Sequence, residues 1–117
     1  IIHLTGWLGD EELDSYFRYA KALIFPSLSE GFGIPVLEAY FYKIPLLLSN
    51  QASLPEVAGE AAIYFNPYEV DDIADKIVSF LQKDDYKALI EKQSLRQSLF
   101  SWNKTAKQIQ EIIMHLI

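Results

Sequence analysis

Residues 30–38 read Glu30-Gly31-Phe32-Gly33-Ile34-Pro35-Val36-Leu37-Glu38, and the rest of the chain is arranged around this stretch. An apolar, strand-like run, Ala22 to Pro26, leads into it. Two glycines separated by one residue predict a turn, and Pro35 suits the start of a helix, where its missing N–H costs nothing. A strand, a glycine loop and a helix N-terminus in this order favour anion binding, because free backbone N–H groups and the helix dipole both attract negative charge.

Two carboxylates, Glu30 and Glu38, bracket this predicted anion site. A site for phosphate alone would not include them, because they repel phosphate. An ionised carboxylate accepts hydrogen bonds, however, and sugar hydroxyls donate them. The stretch therefore predicts a site that holds sugar hydroxyls as well as phosphate.

Composition excludes several classes of function. The 117 residues allow one domain, half of them are apolar, and the net charge of -6 with a pI of about 4.8 argues against a nucleic-acid partner. The absence of cysteine excludes disulfides and thiolate metal sites. The two histidines, His3 and His115, lie near opposite ends, so we expect no metal site and no cofactor. No apolar run is long enough to predict a membrane span.

Strand-like and helical segments alternate through the first two-thirds of the chain, which predicts an α/β layer with a parallel sheet. About four strands are expected, at Ile1–Thr5, Leu23–Pro26, Pro45–Ser49 and Ala61–Phe65. The first predicted helix follows an Asp10 N-cap, and the next two span Pro35–Tyr42 and Leu54–Ala58. The helix at Pro35–Tyr42 is apolar nearly all round, so we expect it to be buried. Three more helices are predicted after residue 70, and Ser101 is the predicted N-cap of the last one. Residues 1–69 are thus a βα core and residues 70–117 a helical tail.

Ligands of open parallel sheets bind outside the carboxyl ends of the strands. This rule places Gly6–Gly9, Ser27–Gly33 and Asn50–Ser53 on one rim. Asn50 and Ser53 either line the site or only complete the loop. The Ser27 and Ser29 hydroxyls either bind phosphate or shape their loop, and the residues alone leave both readings open. Because the sequence opens at Ile1 inside a strand-like run, we expect a fragment of a longer protein.

Residues 25–39 resemble the signature of the retaining glycosyltransferases of family 4, which carries two glutamates separated by seven residues, as Glu30 and Glu38 are. Leu54-Pro55-Glu56-Val57 and Phe100-Ser101-Trp102 resemble later segments of that family, and the likeness covers nearly the whole chain. The family has the GT-B architecture, two Rossmann-like domains facing a cleft. The resemblance implies that this chain is a partial C-terminal, Rossmann-like domain, which binds a nucleotide sugar.

Roles for single residues follow from the resemblance alone. It implies that Glu30 is catalytic, lying beside the donor sugar and stabilising positive charge at the anomeric carbon. It implies donor binding by the backbone of the glycine loop, which holds the diphosphate, and by a carboxylate that accepts hydrogen bonds from the ribose. These donor-binding residues are Gly31, Phe32, Gly33, Ile34 and Glu38.

The implied activity is hexose transfer from a nucleoside diphosphate sugar to a glycan or lipid-linked acceptor, mannosyltransferase-like, in polysaccharide biosynthesis. The implied setting is the cytoplasm or the inner face of the membrane, with peripheral membrane association. An N-terminal acceptor domain and an upstream basic clamp are the expected missing partners, so the fragment alone should be inactive. Two alternatives stay open: a non-catalytic Rossmann-like nucleotide-binding or regulatory module, and a sugar-phosphate synthase or phosphorylase-like relative.

Overall fold

The computed structural model describes residues 1–117 and contains six α-helices and three β-strands. This alternation confirms the predicted α/β class. The elements, in chain order, are α1 (Asp10–Tyr19), β1 (Leu23–Phe25), α2 (Ile34–Tyr42), β2 (Leu46–Ser49), α3 (Leu54–Ala58), β3 (Ile63–Phe65), α4 (Val70–Leu81), α5 (Lys87–Gln97) and α6 (Trp102–Leu116).

The three strands form one parallel sheet in the order β1-β2-β3. Leu23 pairs with Leu46, and Leu47 pairs with Ile63. Helices α2 and α3 make the two crossovers, since parallel neighbours cannot be joined by a tight hairpin. The carboxyl ends of all three strands therefore lie at one edge of the sheet.

The predicted strand at Ile1–Thr5 is wrong, and the sheet has three strands instead of about four. This segment makes no backbone pairing, and its side chains are exposed. A short apolar run becomes a strand only where a neighbouring strand accepts its backbone hydrogen bonds, and that requirement is not visible in the run itself.

The predicted N-cap of α1 is displaced by one residue. Gly9 occupies the N-cap position and Asp10 is the first helical residue. The Glu12 carboxylate accepts a hydrogen bond from the Gly9 N–H at 3.2 Å, so a carboxylate still satisfies a free amide at this helix start.

Strand β2 is the centre of the core, and all its residues are buried. Leu46 and Leu48 belong to the larger apolar cluster with α2 and α3, whereas Leu47 belongs to a second cluster with Phe65 and Phe80. This division follows from the alternation of side chains along a strand. Full burial of each leucine contributes about 1.5–3 kcal/mol.

Helix α2 is buried on one side only. Val36, Ala39 and Tyr40 are buried, whereas Ile34 is 59% exposed and Phe41 is 68% exposed. The expectation of a helix buried nearly all round is therefore wrong, because a helix lying on one face of a single sheet covers the core with one stripe.

The three C-terminal helices differ in how they pack. Helix α4 packs against β3 through Phe80, and α5 packs against α2 and buries Gln93. Helix α6 has no buried residue; its predicted N-cap is confirmed, since the Ser101 hydroxyl accepts a hydrogen bond from the Lys104 N–H at 3.0 Å. None of the helices combines the length and the apolar character that crossing a bilayer requires.

Candidate functional site

Two loops meet at the carboxyl edge of the sheet. One joins β1 to α2 and the other joins β2 to α3, and their strands are parallel neighbours. The Ser53 hydroxyl oxygen lies 3.2 Å from the carbonyl oxygen of Glu30 and 3.1 Å from that of Phe32, so its single proton is shared between these two acceptors. Two of the three predicted rim loops thus lie together. Gly6–Gly9 has no strand before it, and no hydrogen bond joins it to them.

Gly33 is the turn that starts α2. Its φ of 92° and ψ of 56° lie in the left-handed region, and it is buried. A Cβ at this position would lie 2.7 Å from Leu54 Cδ2. Gly31 is exposed, and a Cβ there would meet nothing within 4 Å. The fold therefore requires glycine at position 33, whereas it places no such demand on position 31.

Four successive backbone N–H groups, those of Gly31, Phe32, Gly33 and Ile34, have no acceptor within the chain. They precede or begin α2, whose first turn contains no acidic residue. Unpaired N–H groups at a helix start carry partial positive charge and bind anions. The four residues that the resemblance assigned to donor binding through their backbone thus form one run of free donors.

The Glu30 side chain is half-buried and held in place. Its Oε1 accepts a hydrogen bond from the Ser27 hydroxyl at 2.9 Å, and the same hydroxyl lies 3.1 Å from the Ser29 carbonyl oxygen. Of the two readings of Ser27, the structure supports the one in which it shapes the loop. The Ser29 hydroxyl is exposed and makes no hydrogen bond within the chain.

Glu38 is half-buried on α2 and has no hydrogen bond or ion pair within the chain. The helix begins at Ile34, so Glu38 lies just beyond its first turn. Its charge contributes to raising the pKa of Tyr42, which is raised chiefly by a hydrogen bond to Asp14. The carboxylate is free to accept hydrogen bonds from a ligand.

Helix α3, which follows the β2–α3 loop, is fixed at its C-terminal end by side-chain donors that the sequence did not indicate. The Arg96 guanidinium donates to the carbonyl oxygens of Glu56 and Val57, the latter at 2.9 Å. The Tyr64 hydroxyl donates to the Gly59 carbonyl at 2.6 Å. These contacts satisfy the carbonyls that a helix end leaves unpaired. Arg96 lies 39 and 40 residues from its partners, so no local pattern identifies this role.

An aromatic contact connects the glycine loop to the segment before α6. The rings of Phe32 and Phe100 meet edge to face, with centroids 5.6 Å apart and an interplanar angle of 86°. The Arg96 guanidinium lies 5.9 Å from the centroid of Phe100. The Phe32 side chain therefore anchors the loop while its N–H stays free. Phe100, which belongs to a later segment that resembles the family, is a second residue whose structural role the sequence did not indicate.

The two rim loops contain a carboxylate, Glu30, but no lysine or arginine. Lys43 is the only lysine or arginine between residues 22 and 75, and it lies at the opposite end of α2 from the glycine loop. No group of three or more histidine, cysteine, aspartate or glutamate side chains is arranged to hold a metal ion. Within these two loops, positive potential therefore comes from backbone N–H groups.

Comparison with known proteins places the chain in a family. The sequence model of the family described as Glycosyl transferases group 1 matches residues 2–97. The chain is 37% identical over 108 residues to O-antigen chain mannosyltransferase B of Escherichia coli, covering 92% of this chain and 28% of that protein. It is 32% identical over 113 residues to the MMP alpha-(1->4)-mannosyltransferase of Mycolicibacterium hassiacum, with the same 92% and 28% coverage.

A solved structure with the same fold is that of a sucrose-phosphate synthase from Thermosynechococcus elongatus. The two match with a TM-score of 0.79 and 25% identity over 96% of this chain and 29% of the synthase. The chain therefore spans less than a third of the length of these relatives. The family match, together with the strand, glycine loop and helix that carry Glu30 and Glu38, shows that this chain belongs to the group 1 glycosyltransferases.

Proposed function

We propose that this chain is the donor-binding part of a retaining glycosyltransferase that moves a hexose from a nucleoside diphosphate sugar to a glycan or lipid-linked acceptor. Mannose is the favoured hexose, because two of the relatives above are mannosyltransferases by name. The observation that carries the proposal is the run of four free N–H groups between the Glu30 and Glu38 carboxylates. A glycosyltransferase of this kind has to bind both a diphosphate and sugar hydroxyls.

The proposed division of roles follows the hydrogen-bonding capacity of each group. The N–H groups of residues 31–34 donate to the diphosphate oxygens. The unpaired Glu38 carboxylate accepts hydrogen bonds from the ribose hydroxyls. Glu30, whose Oε1 is held by Ser27, presents its second oxygen to the transferred sugar. No metal ion or cofactor takes part in this proposal.

The proposed transfer proceeds on one face of the sugar. The bond between the anomeric carbon and the diphosphate oxygen breaks, and the carboxylate of Glu30 stabilises the positive charge that develops on the ring. The acceptor hydroxyl oxygen bonds to the anomeric carbon from the same face, and its proton passes to the leaving phosphate. The product keeps the anomeric configuration of the donor.

A domain outside this chain is part of the proposal. The two rim loops contain no lysine or arginine to neutralise a diphosphate, and the relatives are more than three times as long as the matched region. We propose that an N-terminal domain supplies the basic clamp and the acceptor site. Residues 1–117 alone should then show negligible transfer and at most weak nucleotide binding. The cytoplasmic setting and peripheral membrane contact expected above stay predictions, which fractionation of cells expressing the full-length protein would test.

Calorimetry on the full-length protein with UDP-, GDP- and ADP-sugars and their free nucleotides tests donor binding. Glu38→Ala should weaken binding of both the nucleotide and the nucleotide sugar by at least about tenfold, since it removes a charged hydrogen-bond acceptor. Glu30→Gln should preserve nucleotide affinity and lower the transfer rate. Glu91→Ala, an exposed carboxylate on α5, is the matched control. Nucleotide binding that Glu38→Ala leaves unchanged, or no binding at all, would refute the donor-site proposal.

A second candidate is transfer to a sugar phosphate, which the likeness to a sucrose-phosphate synthase supports. Both reactions use the same donor site, so binding experiments do not separate them. Product analysis with a donor labelled in its sugar does: label in a glycan or lipid fraction supports the first candidate, and label in a free sugar phosphate supports the second. Binding without any labelled product would instead support a non-catalytic nucleotide-binding module.

A further inference from the structure

Ser53 occupies the N-cap position of α3 but does not cap that helix. Serine is favoured there because its oxygen accepts a hydrogen bond from the first helical turn. In this structure the Ser53 side chain makes no capping hydrogen bond. Its single hydroxyl proton is instead shared between the carbonyl oxygens of Glu30 and Phe32, which lie 23 and 21 residues earlier in the chain.

This shared hydrogen bond favours one orientation of the two peptide groups that contain the acceptors. The chain contains no cis peptide bond, and in a planar trans peptide the C=O and the following N–H point in opposite directions. Because the Glu30 and Phe32 carbonyls point towards Ser53, the N–H groups of Gly31 and Gly33 point away from it. Both belong to the run without acceptors.

Neighbouring residues hold Ser53 in a fixed position. Ala52, immediately before it, has a φ of 54°, a backbone conformation that persists in a non-glycine residue only where the surroundings impose it. Leu54, immediately after it, is completely buried. Behind them, Arg96 and Tyr64 hold the other end of α3. The hydroxyl is thus presented to the glycine loop from a rigid base.

We propose that Ser53 is a positioning residue for donor binding, which aims the N–H groups of Gly31 and Gly33 at the diphosphate without contacting the donor. The inference rests on the proposed function, because it assigns a task to the loop that this function requires. Ser53 should therefore contribute to the affinity for the diphosphate of the donor and not to the affinity for its nucleoside portion.

The test compares two ligands in the full-length protein by calorimetry: whichever of UDP, GDP and ADP the wild type binds, and the corresponding nucleoside. Ser53→Ala should weaken binding of the diphosphate about tenfold and leave nucleoside affinity unchanged, which a general loss of structure would not do. Ser53→Thr keeps the hydroxyl and should restore diphosphate affinity. Ser79→Ala, an exposed serine on α4 without a side-chain hydrogen bond, is the control for the substitution itself.

Ser53→Cys keeps the shape and weakens the donated hydrogen bond, so it gives a second reading should the alanine variant fail to fold. It should show the same selective loss of diphosphate affinity. Wild-type diphosphate affinity in Ser53→Ala or in Ser53→Cys, with Glu38→Ala still impaired, would overturn the role of Ser53 and leave the proposed function standing. Equal losses for nucleoside and diphosphate would also overturn it. Failure of the wild type to bind any of the three diphosphates would overturn both.

Discussion

Replacement of Gly33 by alanine tests whether the glycine loop depends on one residue that the fold cannot replace. Two costs add at this position. A residue other than glycine pays about 1–2 kcal/mol in the left-handed region, where Gly33 has a φ of 92°. The new Cβ also lies 2.7 Å from Leu54 Cδ2, and since Leu54 is completely buried it cannot rotate away freely, which adds about 1–3 kcal/mol of overpacking.

The expected loss for Gly33→Ala is therefore about 2–5 kcal/mol of unfolding free energy, a large part of the 5–15 kcal/mol typical of a domain. At roughly 4 °C per kcal/mol for a chain of this size, the melting temperature should fall by about 8–20 °C. Urea unfolding followed by circular dichroism measures the free energy. Gly31→Ala is the matched control, two residues away, and should lie within about 0.5 kcal/mol of the wild type because its Cβ meets nothing within 4 Å.

A double-mutant cycle separates the two costs. Leu54→Val removes the Cδ2 atom that the new Cβ meets, so in that background Gly33→Ala should cost only the backbone contribution of about 1–2 kcal/mol. The reasoning would be refuted by equal effects of alanine at positions 31 and 33. An effect at position 33 that Leu54→Val does not reduce would refute the contact contribution and leave the backbone contribution.

Three further predictions concern the end of α3, the Asp14–Arg18 pair and donor binding without a metal ion. Arg96→Gln removes the charged donor to the end of α3 and should lower the free energy of unfolding, measured in urea, by about 1.5–3 kcal/mol. Lys92→Gln is the control: the partner of Lys92, Glu60, is 91% exposed, so this change should cost less than about 0.5 kcal/mol. The pKa of Asp14 lies below its ordinary value of 3.8, chiefly because Arg18 donates a hydrogen bond to its carboxylate. The ionised Asp14 side chain therefore stabilises the folded state above pH 3.8, and this contribution is lost as the pH falls through the lowered pKa. Urea midpoints measured from about pH 5 to about pH 2 should therefore fall more steeply in the wild type than in Asp14→Asn, and equal slopes would contradict this. Excess EDTA should leave donor binding of the full-length protein unchanged in calorimetry, and a loss restored by Mg²⁺ would show that the proposal without a metal is wrong.

Much of the fold could be predicted from sequence because its signals are local. The continuous apolar run at Leu46–Ser49 is typical of a buried strand in a parallel sheet, and proline near the start of α2 and α3 marks helix starts through its fixed φ. The family signature likewise consists of neighbouring residues, so it indicated both a candidate site and a family. The comparisons confirm the family, the group 1 glycosyltransferases.

Two of the failures share a physical cause, which is dependence on partners distant in the chain. Ile1–Thr5 has the composition of a strand but no neighbour to pair with. Phe41 belongs to an apolar helix but faces away from the sheet. The one-residue shift of the α1 N-cap is local instead: Gly9 takes that position, and its N–H donates to the Glu12 carboxylate three residues later.

The sequence alone determined the α/β class, the position of the glycine loop and the two carboxylates beside it, because each depends on residue type and short-range spacing. The tertiary structure decided how that loop is held. Ser53 could have capped its own helix, and only the approach of the β2–α3 loop to the β1–α2 loop turns its hydroxyl towards Glu30 and Phe32. The direction of the Gly31 and Gly33 N–H groups follows from that contact, since a planar peptide that aims its carbonyl one way must aim the next N–H the other.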